Sequence, residues 1–114
     1  MAEGHHLRMG AGRILVANEL ASYRQTLTLA LRELRPHVEV FETASEQLDT
    51  EITRLRPDLV ICSRVTLTVR QRVANWVELY PERKPYSTFY IGGLHRAKRD
   101  VQLSDLLALC ASPP

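Results

Sequence analysis

Short unbroken apolar runs alternate along this chain with stretches whose apolar residues recur every three or four positions. Ile14-Leu15-Val16-Ala17 is the first run, and such a run marks a strand buried on both faces, as in a parallel sheet. The period then turns helical from Ala21 to Leu34. Leu27, Ala30, Leu31 and Leu34 share one face, and Pro36 stops the helix. Leu29 falls about 200° round the helix from Leu27 and off that stripe, either as a single exposed leucine or as part of a dimer patch. Val38-Glu39-Val40-Phe41 reads as a second strand, and Thr43-Ala-Ser-Glu46 as a capping box at a helix start. Leu48, Ile52 and Leu55 form the next apolar stripe, closed by Pro57, and Leu59-Val60-Ile61-Cys62 is the third strand.

Val69, Val73, Trp76, Val77 and Tyr80 fit the apolar face of a third helix ending at Pro81, which predicts Trp76 and Tyr80 in core or interface packing. Ser87 to Ile91 reads as a strand, Gly92-Gly93 as a hairpin turn, and Leu94 to Arg99 as the antiparallel return. A last helix is expected from Leu103 to Ala111, with Ser104 as its N-cap. The alternation of strand and helix predicts a parallel sheet covered on both faces, joined by right-handed crossovers. The expected fold class is therefore α/β, a three-layer sandwich with a β-hairpin near the C-terminus.

Composition narrows the class. A chain of 114 residues with 45% hydrophobic and 25% charged residues suits one globular domain, expected over residues 13–112. Residues 1–12 have no period and read as a flexible leader, whose adjacent His5 and His6 lack the further ligands a metal site needs. No apolar run approaches the ~20 residues that span a bilayer, and no membrane partner is expected. Cys62 and Cys110 lie far apart in apolar stretches, outside any CxxC pair. They read as reduced core thiols, and the cytoplasm is the expected compartment.

Charge is unevenly spread. Residues 64–99 hold eight Arg or Lys against two Glu. Arg96, Lys98 and Arg99 cluster in the hairpin near Tyr86, Phe89 and Tyr90. Such a cluster suits a nucleic acid or another polyanion. It also suits an edge strand guarded by charge against aggregation.

Arg13-Ile-Leu-Val-Ala-Asn-Glu19, the helix after it, and Leu55-Arg-Pro-Asp-Leu-Val-Ile-Cys-Ser63 resemble the receiver domain of bacterial two-component response regulators, over about residues 13–80. The resemblance implies a receiver-like (flavodoxin-like) parallel sheet, with the Gly-Gly hairpin standing in place of the fourth helix. It also implies a site where phosphoryl transfer to an aspartate is assisted by Mg²⁺ on an acidic pair. Carried across by position, the acidic pair becomes Asn18 and Glu19, and the acceptor becomes Ser63. The family's hydroxyl would fall near Ile91-Gly92, where none exists. Its lysine, usually followed by proline, has no counterpart, because Lys98 precedes Arg99. A neutral serine hydroxyl forms no acyl phosphate, and one carboxylate holds Mg²⁺ poorly. The resemblance thus implies a degenerate member without the switch.

Other chemistry finds no support in the residues. A nucleophilic Ser63 needs a base within reach, and neither His37 nor His95 lies in a recognisable context. No GxSxG elbow surrounds the serine. Gly10-Ala-Gly12 precedes the first strand instead of following it, so it is no dinucleotide fingerprint. No catalytic residue, metal or cofactor is expected. The expected function is a non-enzymatic pseudo-receiver module for signalling or regulation that binds another protein, with a homodimer as one form of that binding. The alternative is a small nucleic-acid or polyanion binder using the basic 94–99 hairpin.

Overall fold

A computed structural model describes residues 10–111 of the chain. The strands are β1 (Arg13–Ala17), β2 (Glu39–Glu42), β3 (Leu59–Cys62), β4 (Asn75–Glu78), β5 (Tyr86–Ile91) and β6 (Leu94–Arg99). The helices are α1 (Ala21–Leu34), α2 (Leu48–Leu55), α3 (Leu67–Arg72) and α4 (Leu103–Leu107). All six strands join one sheet in the order β2-β1-β3-β4-β5-β6. The first four are parallel, and β5 and β6 are antiparallel to their neighbours.

Side chains alternate across a strand, so each apolar run feeds two cores. Ile14, Val16, Leu59, Ile61 and Val77 pack with Leu27 and Leu31 of α1 and Leu106 of α4. Leu15, Ala17, Val60, Cys62 and Trp76 pack on the other face with Leu48 and Ile52 of α2 and Val69 of α3. Helices therefore cover both faces of the sheet. Burying each such Val, Leu or Ile contributes about 1.5–3 kcal/mol, which is why unbroken apolar runs suit these central strands. Asp58 ties the sheet's lower end together. Its carboxylate accepts from the backbone N–H groups of Gly12 and Arg13 at 3.1 and 2.9 Å, while the Arg13 guanidinium donates to the Leu55 carbonyl. The Arg-Pro-Asp phrase is thus a joint between α2, β3 and the start of β1. No helix among the described residues is long and apolar enough to cross a membrane.

The third helix differs from expectation. α3 stops at Arg72, and residues 75–78 form β4, whose Trp76 lies opposite Val60 of β3 and Tyr90 of β5. Val69, Val73, Trp76 and Val77 satisfy a helical period, yet Trp76 and Val77 are also a buried pair pointing to opposite faces of a strand. Pairing with β3 on one side and β5 on the other satisfies their backbone groups, and that decides the outcome.

The caps differ as well. Thr43-Ala-Ser-Glu46 makes no capping box: Ser45–Gln47 is a single 3₁₀ turn whose N-cap, Ala44, has no side-chain bond. α4 is shorter than expected and has its N-cap at Gln102 and not at Ser104: the Asp105 carboxylate accepts from the Gln102 N–H at 2.7 Å, and the Asp105 N–H donates to the Gln102 carbonyl at 3.0 Å. Residues 1–9 of the expected leader, including His5 and His6, lie outside the described residues. Ala11 is buried and bridges Cys110, so pairing begins ahead of residue 13. Gly10 permits this approach, since at φ +85° a Cβ there would lie 2.3 Å from the Cys110 carbonyl oxygen.

Candidate functional site

The chain leaves β1 for β2 on one side and later returns to β3 on the other. The loops at the C-terminal ends of β1 and β3 consequently diverge, and open α/β sheets bind ligands in the crevice that results. Asn18 and Glu19 follow β1, and Ser63 follows β3, so the structure brings all three to this point. The Ser63 hydroxyl accepts a hydrogen bond from the Glu19 backbone N–H at 2.8 Å. Asn18 is only 3% exposed. Its backbone carbonyl accepts from Arg24 at 2.9 Å, while its side-chain Oδ1 has no partner among the described residues. The Glu19 residue is exposed.

Two adjoining clefts, of about 640 and 470 Å³, share Glu19, Ser63 and Glu82. The larger is mixed, with Arg64, Thr66, Glu78 and Lys84 on its walls beside Ala17 and Leu48. The smaller is more apolar, with Leu20, Tyr23, Leu79 and Tyr80. Several of these groups are already engaged. The Glu78 carboxylate accepts from the Val65 N–H at 2.8 Å. Thr66 donates to Asp49 at 2.7 Å and caps α3 by accepting from the Val69 N–H. Sequence reasoning missed Glu78, because it placed that residue in a helix. As the last residue of a parallel strand, Glu78 points to the same crevice, and a correct reading of Asn75–Glu78 as a strand would have found it.

The two histidines among the described residues stand away from Ser63. His37 donates through Nε2 to the Ala111 carbonyl, and His95 lies against Trp76 and Tyr90. Neither of them lines either of these two clefts. Cys62, one residue before Ser63, is buried and free. Burial pushes its thiol from an ordinary 9.0 up to about 12, with the Glu78 carboxylate adding to the rise and a backbone hydrogen bond from Arg64 opposing it. A thiol so held is not a nucleophile at neutral pH. Cys110 is also free, and burial raises its thiol too. Burial likewise raises the Tyr23 phenol, helped by Tyr80. No group of three or more His, Cys, Asp or Glu among the described residues is arranged to hold a metal ion.

The hairpin cations are not gathered in one place. Arg96 and Lys98 lie opposite Phe89 and Ser87, on the face that α4 covers, whereas Arg99 lies opposite Tyr86 on the other face. Lys98 also approaches Asp105 of α4 at 3.8 Å. No family model, no curated protein and no solved structure matches this chain.

Proposed function

We propose that the protein is a non-enzymatic binding module for signalling or regulation, a receiver-like scaffold without an aspartyl-phosphate switch that acts by docking another protein. The observation that carries this reading is the hydrogen bond from the Glu19 N–H to the Ser63 hydroxyl. Where a receiver would offer a charged acceptor to Mg²⁺ and phosphate, this crevice spends its neutral hydroxyl on tying two loops together. Asn18 adds no charge beside it. The order β2-β1-β3-β4 supports the receiver-like scaffold, being the order of flavodoxin-like doubly wound sheets. The antiparallel hairpin β5–β6 then replaces the next helix and strand of such a sheet. Two buried free thiols suit a reducing compartment such as the cytoplasm.

A polyanion-binding surface on Arg96, Lys98 and Arg99 has weaker support, because the register parts these residues between two faces. The test of the leading reading is intact-mass measurement after incubation with acetyl phosphate and Mg²⁺. The mass is expected to stay unchanged. Stable addition of one phosphoryl group would sink the proposal.

A further inference from the structure

β6 is the last strand of the sheet, and all six of its residues are exposed. Gly92 and Gly93 turn the chain at φ +60° and +83°, which makes Ile91–Leu94 the hydrogen-bonded pair next to a two-residue loop. The bonded rungs then recur at Phe89–Arg96 and Ser87–Lys98. The backbone N–H and C=O groups of His95, Ala97 and Arg99 point the other way, to the free edge. No turn, loop or cap hydrogen bond among the described residues engages them.

We infer that this edge docks an extended acidic segment of a partner protein, added as a seventh strand beside β6. The inference rests on the proposal that the protein acts by binding another protein. Main-chain pairing of this kind supplies affinity, and side chains at alternate positions supply specificity. The charge pattern selects the occupant. Arg96 and Lys98 project on one face of β6, and Arg99 on the other. An added strand also alternates its side chains between two faces, so its carboxylates meet cations on both. A nucleic-acid backbone tracks a single surface and reaches the cations of one face only. A second copy would set cation against cation, which opposite strands disfavour. The feature that guards this edge against self-pairing thereby attracts an acidic strand. Ala97, small and central, leaves the pairing edge open.

The test uses the full chain and a synthetic peptide alternating glutamate with threonine, with oligothymidylate as a second probe. Amide hydrogen exchange is expected to slow at His95, Ala97 and Arg99 when the peptide is added. Ala97→Pro removes a donor on the outer edge only, a position where proline is tolerated. It should weaken peptide binding roughly tenfold or more while the β5 amides keep their protection. Should that variant lose β5 protection, Arg96→Glu with Arg99→Glu decides instead, and is expected to prefer a lysine–threonine peptide. Unchanged exchange at the three amides, equal binding by a folded Ala97→Pro chain, tighter binding of oligothymidylate, or pairing of two copies through β6 would each overturn the inference. The phosphodonor mass measurement reads the parent proposal separately: an unprotected edge with unchanged mass overturns the edge alone.

Discussion

Trp76 stacks on Tyr90, with ring centroids 5.4 Å apart and planes 20° apart. The two residues lie directly opposite each other on β4 and β5. His95 meets both rings edge-on at 5.5 Å, and the Arg70 guanidinium lies 5.6 Å from the indole centroid. One side chain thus joins α3, the parallel half of the sheet and the hairpin. Truncating it leaves a cavity and also loses the stack. Trp76→Ala should cost about 3–5 kcal/mol, a large part of the ~5–15 kcal/mol typical of a domain. Urea denaturation followed by circular dichroism checks this, and a midpoint unchanged from wild type would contradict it. Trp76→Phe should recover part of the loss by restoring an aromatic pair with Tyr90.

Ser63 serves as an acceptor in this structure, so its role is separable from any chemistry. Ser63→Ala removes the partner of the Glu19 N–H and should cost about 1 kcal/mol. Ser63→Thr keeps the hydroxyl and should lie nearer wild type. Thermal unfolding of the three proteins gives the comparison. An alanine variant as stable as wild type would show that the loop tie contributes nothing.

The Cys62 thiol carries a pH signature. Its folded value is raised from 9.0 to about 12, chiefly by burial. Between those values the unfolded chain gives up the thiol proton and the folded chain keeps it. Fewer protons are then bound in the unfolded state, so stability falls as pH rises. The contribution is complete below about pH 9 and is lost as pH climbs toward 12, by a few kcal/mol at most. Cys62→Val should flatten this alkaline slope in denaturation series run across that range. A slope identical in both proteins would assign the alkaline loss to other groups.

Much of the fold was legible before any contact was known. The apolar runs at 14–17 and 59–62 became β1 and β3, and the expected helix from Ala21 to Leu34 has those same bounds as α1. Gly92-Gly93 announced the hairpin because two consecutive positive-φ residues suit glycine. The grouping of Asn18, Glu19 and Ser63 came from the receiver resemblance alone, and in the structure the Ser63 hydroxyl does meet the Glu19 N–H. Trp76 shows where this reading stopped. Its spacing from Val69, Val73 and Tyr80 fits a helix turn, and four residues are too few for a strand's period to compete.

By itself, then, the sequence determined where apolar surface had to be buried and where the chain had to turn, because those are properties of neighbouring residues. Which strand lies beside which was left to the tertiary structure. Residues 75–78 are a strand because β3 and β5 stand on either side to satisfy their backbone groups. Arg96 and Lys98 part from Arg99 because pairing with β5 sets the register. Ser63 is held by Glu19, 44 residues away in the chain. Each of these outcomes depends on hydrogen bonds between distant segments, and such bonds have no local period from which to be read.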